Sequence, residues 1–339
     1  MLRSRLLQHE LLKAINVAVT SAILLVGGMG TRMQPLTLST PKPMLELLGR
    51  PITEHQIMKA KEAGIEEIVL ATSYMSEVFT PHFGDGSQLG IRISYAVEEV
   101  ALGTGGAIRN AADSLRSDGG VIIFNGDILS AHSLKEQIAL HESKSADVSL
   151  HLTRVEDARP FGVVDIDGDF RISSFMEKME NPPTNLINAG CYIFNRSAIE
   201  KIPHGEVVSV ERQTFPELLS EGARVFGYID TSYWIDIGNP NALLAATKEL
   251  LNGEPYDLGE RATISPTARI TNGSYIGADS TIGADAVLDN CIVGRGASVG
   301  AGAKLTTCHI APGAKVPEGF IAGGNFFGFT ELSGENPYI

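Results

Sequence analysis

The feature that most constrains this chain is a period of six in its last third. An apolar residue recurs at Ile264, Ile270, Ile276, Ile282 and Leu288. After a slip the series resumes at Val293, Val299 and Leu305, and after a second slip at Ile310 and Val316. Glycine commonly follows, as in Ile276-Gly277, Ile282-Gly283 and Val299-Gly300. The helical period of 3.6 residues disappears over this stretch. A hexapeptide period predicts a parallel β-helix, in which each apolar residue turns inward and a small residue permits the tight corner. A glycine-rich linker does not account for the regular Ile and Val. Hexapeptide coils also build acyltransferases that use a histidine as general base, and His309 lies in this segment. A lone histidine among coils is expected at the surface. The segment is therefore read as a structural and oligomerising appendage.

Before Asn252-Gly253-Glu254-Pro255 the pattern is different. Short apolar runs alternate with helix-like segments, which predicts a mostly parallel sheet covered by helices. Strands are expected at Ser21–Val26, Glu67–Thr72, Ile91–Val97, Val121–Phe124 and Val148–Thr153, and helices at Thr53–Ala63 and Thr104–Leu115. Asp167-Gly168, between Gly162–Ile166 and Phe170–Met176, reads as a hairpin turn. The expected layout is an extension over residues 1–20, an α/β domain over 21–251 and the β-helix over 258–339.

The 339 residues carry 27 Lys plus Arg against 40 Asp plus Glu, a net charge of −13. That balance excludes a protein that tracks nucleic-acid phosphates, which needs a basic surface. It leaves room for a small polyanion held by a few local cations, backbone N–H groups or a metal. Three cysteines, Cys191, Cys291 and Cys308, have no metal-ligand spacing and fit a reducing, cytoplasmic compartment. The apolar run Ala14–Val26 loosely imitates a secretory leader but is too short to span a bilayer. It also runs straight into Gly27-Gly28-Met29-Gly30, so cleavage there would remove the strand that presents this loop. A short extension, and no membrane partner, is the expectation.

That loop carries chemistry. Leu24-Leu25-Val26 is followed by Gly27-Gly28-Met29-Gly30-Thr31-Arg32, and then by Pro41-Lys42-Pro43-Met44. Glycines let backbone N–H groups approach phosphate oxygens without a Cβ in the way. Arg32, a planar fork, and Lys42, a mobile point charge, can neutralise a triphosphate. The dinucleotide fingerprint would need Gly at Met33, and a Walker A loop would need Gly-Lys-Ser/Thr, so both fail on spacing.

With these motifs the chain resembles the sugar-nucleotide pyrophosphorylases from about Ser21 onward, and within them the mannose-1-phosphate guanylyltransferases with a C-terminal left-handed β-helix. The resemblance implies that Gly27, Gly28, Gly30, Thr31 and Arg32 hold the triphosphate and that Lys42 faces the reacting phosphates. Glu98-Glu99-Val100-Ala101-Leu102-Gly103-Thr104 matches the segment against the nucleotide base, so Glu98, Gly103 and Thr104 are nucleotide-binding candidates. The thymidylyltransferase relatives carry a Gln-rich version that is absent here. Asp127, after the apolar strand ending at Phe124, and Asp236, in Tyr233-Trp234-Ile235-Asp236, match paired carboxylates for Mg²⁺. Arg32, Lys42, Asp127 and Asp236 form the catalytic set that this implies. On the sugar side Gly162, Glu177 and Asn188 would contact hydroxyls, and Lys178 the sugar phosphate. Met179 stands where the family usually has Pro. The implied partners are an NTP, GTP first, and a sugar 1-phosphate, mannose 1-phosphate first. Thymidylyl, uridylyl and heptose guanylyl transfer remain as alternatives. A non-catalytic regulatory subunit would lack the Arg, Lys or Asp of these motifs, and all are present.

Overall fold

The computed structural model describes residues 18–73 and 75–329. The expected N-terminal extension lies, up to residue 17, outside them.

The α/β part is built on one nine-stranded mixed sheet. Its strands are β1 (Ser21–Leu25), β2 (Glu67–Thr72), β3 (Arg92–Val97), β4 (Val121–Asn125), β6 (Val148–Arg154), β7 (Gly162–Ile166), β8 (Ile172–Glu177), β9 (Leu186–Phe194) and β10 (Val225–Ile229). Two short strands, β5 (Ile128–Ser130) and β11 (Trp234–Asp236), pair with each other outside it. The main path runs β8-β7-β9-β4-β1-β2-β3, with β6 pairing β9 and β10 pairing β6. β1 is central and parallel to both β2 and β4, so its glycine-rich exit lies at the carboxyl edge of the sheet.

Both faces of this sheet are covered, which is why β1 reads as an unbroken apolar run rather than an alternation. Ile23 points into one core with Val69, Ile123 and Tyr192, and Ala22 and Leu24 into the other with Ile68, Leu70 and Ile122. The second face is packed by α1 (Ile52–Glu62), which begins directly after Pro51. Its charges suit the helix dipole, with Glu54 in the first turn and Lys59 and Lys61 in the last. The first face is packed by α2 (Gly103–Ala112) through Ala107, Ile108, Ala111 and Ala112. Two further helices matter, α3 (Leu134–Ser143) and α4 (Pro240–Leu250). Asn239 caps α4, accepting from Ala242 N at 3.0 Å, and Pro240 starts it.

The hairpin of β7 and β8 is present, but its turn is longer than the Asp167-Gly168 pair suggests. Asp167 accepts on its side chain from Asp169 N (2.9 Å) and Arg171 N (3.0 Å), and the positive φ falls on Phe170. An aspartate that caps its own loop in this way builds a wider turn than a two-residue hairpin.

From Tyr256 to Phe327 the chain is a left-handed parallel β-helix of three sheets. The expected apolar series forms its ladders: Ile264 lies on Ile282, then Val299, then Val316, and Ile270 on Leu288, then Leu305. The slips have a cause. The first coil advances Leu258 to Ile276, but later coils advance Ile276 to Val293 to Ile310, one residue fewer. The shortened corner passes through Asn290 and Thr307, both with positive φ. His309 corrects the expectation of a surface residue. It is 3% exposed, stacks on Phe326 and meets Pro240 O through Nε2 at 3.2 Å. Burial holds its imidazole down at about 4. A ring spent on docking the coil against α4 is not placed to act as an acyl-transfer base.

Candidate active site

The glycine-rich segment leaves β1 with Val26 N still donating to Ala71 O at 3.0 Å, then tightens into a single turn at Thr31–Met33. Met33 is fully buried and anchors that turn, which leaves Arg32 exposed beside it. Gly30 has φ +61°, and a Cβ there would stand 2.8 Å from the Cβ of Lys42. The loop therefore packs directly on Lys42, and Thr37 Oγ1 donates to Gly30 O at 2.9 Å to hold it. Lys42 opens its own short turn with its stem buried, only 7% of the residue being exposed.

β4 ends at Asn125, Gly126 N donates to Leu25 O at 3.0 Å, and Asp127 follows at the carboxyl edge of the sheet. β5 starts immediately and pairs antiparallel with β11, with Ile128 opposite Asp236. Ile237 N donates to Asp127 O at 2.9 Å and closes this ribbon. Two carboxylates far apart in sequence meet because of it. Lys42 Nζ lies 2.7 Å from Asp127 Oδ2 and 3.8 Å from Asp236 Oδ1. The carboxylate oxygens are no farther apart than those two contacts laid end to end. Burial first, and then the Asp127 charge, holds the Asp236 carboxyl above its usual range, against the pull of Lys42, Arg32 and Lys178. Asp236 Oδ1 is buried and accepts no hydrogen bond.

A cavity of about 330 Å³ opens between the glycine loop and α2, lined among others by Gly27, Gly28, Lys42, Glu98, Gly103 and Asp127. Glu98 shapes its wall: Oε2 accepts from Leu102 N at 3.1 Å, and burial raises its carboxyl. The N–H groups of Gly105 and Gly106 go to Val208 O at 2.8 and 3.3 Å, so this helix start is largely spoken for. The Thr104 hydroxyl is spent inside the protein as well, donating to Glu211 Oε2 at 2.8 Å and accepting from Val210 N at 2.9 Å.

On the other side Gly162 of β7 faces Glu177 of β8. Burial, then Glu211, raises the Glu177 carboxyl. Lys178 follows with φ +50° and stands 3.7 Å from Glu177, its side chain 59% exposed. Its charge is among those that pull the Asp236 carboxyl down, after Lys42 and Arg32. Asn188 Nδ2 donates to Tyr192 Oη at 2.9 Å, and Oδ1 accepts from Gly190 N at 3.1 Å.

Two residues of this crevice escape the sequence reading. Glu211, on a single π-helical turn at Val210–Thr214, accepts from Thr104 Oγ1, and its charge raises the Glu177 carboxyl. Its signal was faint, an acid among the apolar residues Val207, Val208 and Val210. Asn125 lines the cavity with a buried, unpartnered Oδ1. In Asn125-Gly126-Asp127 the family resemblance assigns a role to the aspartate alone.

The described helices include none long and apolar enough to cross a membrane. Residues 21–253 match the nucleotidyl transferase family. The mannose-1-phosphate guanylyltransferase of Mycobacterium tuberculosis is 45% identical over 284 residues, covering 80% of this chain and 79% of that protein. Mannose-1-phosphate guanylyltransferase 1 of Arabidopsis thaliana is 32% identical over 284 residues, covering 79% and 78%. Among solved structures, HddC from Yersinia pseudotuberculosis complexed with GMP-PN superposes with a TM-score of 0.58 at 28% identity, over 68% of this chain and 100% of that one. A family match over most of the chain, on a sheet whose carboxyl edge gathers a glycine loop, a buried lysine and two aspartates, makes this chain a member of the nucleotidyl transferase family.

Proposed function

We propose that this chain joins GTP to mannose 1-phosphate and releases GDP-mannose and pyrophosphate. The observation that carries the chemistry is the Lys42–Asp127–Asp236 cluster at the mouth of the cavity between the glycine loop and Glu98. The substrate pair rests on the relatives named for it.

A phosphate oxygen of the sugar 1-phosphate attacks the α-phosphorus in line. The new P–O bond forms as the α–β bridge breaks, and its electron pair leaves on pyrophosphate. No protein nucleophile is required. The main chain of Gly27, Gly28 and Gly30, with Thr31 and Arg32, holds the triphosphate tail. Lys42 neutralises charge where the bond breaks. Lys178 holds the sugar phosphate, and Gly162, Glu177 and Asn188 read the sugar hydroxyls. Glu98, Gly103 and Thr104 form the wall against the base, the last through its backbone.

Asp127 and Asp236 would hold a magnesium ion. An all-oxygen donor pair suits this cation, and the unpartnered buried Oδ1 of Asp236 fits a ligand position. When bound, the ion supplies positive charge to the transferring phosphate. No group of three His, Cys, Asp or Glu that could hold a metal occurs among the described residues. Affinity without nucleotide phosphates should therefore be weak.

The β-helix serves assembly into a homo-oligomer, and light scattering on the full chain tests that role. Pyrophosphate release over a grid of NTPs and sugar 1-phosphates tests the reaction. GTP with mannose 1-phosphate should lead by about tenfold in kcat/KM, a margin that one or two hydrogen bonds supply. A lead for dTTP or UTP with glucose 1-phosphate would overturn the substrate pair and leave the reaction class standing.

A further inference from the structure

Helix α1 reaches the catalytic cluster from behind the sheet edge. Thr53, Gln56 and Lys59 stand three residues apart, on one stripe of this helix. Each donates to a main-chain carbonyl of a segment that carries the cluster. Thr53 Oγ1 donates to Pro43 O at 2.9 Å, the residue after Lys42. Gln56 Nε2 donates to Asn125 O at 2.8 Å and to Ile128 O at 2.9 Å, the carbonyls on either side of Gly126-Asp127. Lys59 Nζ donates to Ser130 O at 2.6 Å, at the far end of β5.

Gln56 is the informative member. It is 4% exposed, and its Oε1 is buried without a hydrogen-bond partner. A buried amide oxygen left unpaired costs stability, and an apolar side chain of similar length would avoid that cost only by taking this donor from the Asn125 and Ile128 carbonyls. Packing alone does not explain an amide here. What the amide adds is one NH₂ group bonded to both ends of the turn that presents Asp127. The same turn is joined to Asp236 through the β5–β11 ribbon. The Lys42–Asp127 contact spans 85 positions of sequence, and a rigid helix holds both of its sides.

We propose that Gln56 is a positioning residue. It fixes the Asn125–Ile128 turn so that the Asp127 carboxylate meets Lys42 and Asp236, while Thr53 seats the Lys42 turn from the same helix face. This rests on the reading of Asp127 as a catalytic, metal-holding carboxylate.

The test uses the full chain and two variants. Gln56→Met keeps the length and removes both donors, and Asp127→Asn is the reference. Turnover is measured with GTP and mannose 1-phosphate, and Mn²⁺ binding in the presence of GTP is followed by electron paramagnetic resonance. Gln56→Met should lower kcat about tenfold, hold KM for GTP within about threefold, and weaken Mn²⁺ half-saturation about tenfold, because a loosened turn misplaces one ligand. Unchanged kcat and Mn²⁺ half-saturation, beside a collapsed Asp127→Asn, would overturn the proposal and leave the site reading intact. So would a kcat loss with Mn²⁺ binding unaltered, the mark of a merely structural residue. Full turnover in Asp127→Asn would instead overturn the site reading itself. If Gln56→Met does not fold, Gln56→Glu, of equal shape and donorless when ionised, takes its place. Failure of both to fold would show that Gln56 supports the fold rather than the site.

Discussion

The β-helix and the nucleotide crevice are both assembled from buried contacts, but they bridge different lengths of chain. In the coil a side chain rests on a partner one turn below, as Ile282 does on Ile264 and Leu305 on Leu288. Hydrogen bonds between neighbouring coils reach only about one turn along the chain, as from Cys291 N to Ser274 Oγ across 17 positions and from Asp285 N to Thr267 Oγ1 across 18. In the crevice Lys42 meets Asp127 across 85 positions and Thr104 meets Glu211 across 107. Neighbouring coils make a quasi-linear stack whose stability is a sum of similar local terms. Under the function proposed above, the crevice is a single constellation whose members act as a unit. Damage in the coil should therefore appear as lost stability, and damage in the crevice as lost chemistry.

The sharpest way to break that contrast is at the carboxylates. Asp127→Asn and Asp236→Asn should each cost at least about a hundredfold in kcat, measured by pyrophosphate release. The double variant should fall little below the worse single one, because both disable one site. Multiplying losses would mean two independent functions.

In the coil, Leu288→Ala removes a fully buried side chain stacked between Ile270 and Leu305. A cost of about 2–3 kcal/mol in denaturant unfolding is expected, toward the lower part of the range for such truncations. The kcat at 25 °C should stay within about twofold. A large loss of turnover would show that the coil stack controls the crevice.

A matched pair of glycines sharpens the comparison. Gly30 and Gly302 have φ of +61° and +68°, so alanine strains the backbone alike at both, by about 1 kcal/mol. A Cβ at Gly302 meets nothing within 4 Å, whereas one at Gly30 meets the Lys42 Cβ at 2.8 Å. Gly30→Ala should lower kcat about tenfold, and Gly302→Ala should lower only the melting temperature. Equal kinetic effects would remove the role given to the Gly30–Lys42 contact.

The smallest effect concerns pH. Burial and the neighbouring Asp127 charge raise the Asp236 carboxyl, so the ionised form is the costly one in the fold. The stability it contributes is present below its unfolded pKa and is lost as pH rises through the raised folded value. At neutral pH Asp236→Asn should therefore melt about one or two degrees higher than the parent while losing turnover. Parent turnover should begin to fall, on acidification, above the ordinary carboxylate range. A lower melting temperature for Asp236→Asn would mean that its bonds to the surrounding cations outweigh its burial.

Much of this was legible in the chain. The coil registers follow from a six-residue period because each inward side chain has its partner one coil away, and even the slips mark the shortened corner at Asn290 and Thr307. The central strands are legible because both faces of β1, β2 and β4 are buried, which writes continuous apolar runs. The glycine loop, Lys42 and the two aspartates stood in motifs specific enough to name. Tertiary structure alone decided how they meet. β5 and β11 are three residues each, too short to carry a pattern, yet their pairing sets Asp236 beside Asp127. Residue type did not show that Thr104 spends its hydroxyl on Glu211, that His309 is buried against α4, or that Gln56 braces two carbonyls. Contacts between neighbouring repeats recur and so leave a period in the sequence. A contact made once, between distant segments, leaves none, and its partners are found only when the chain is folded.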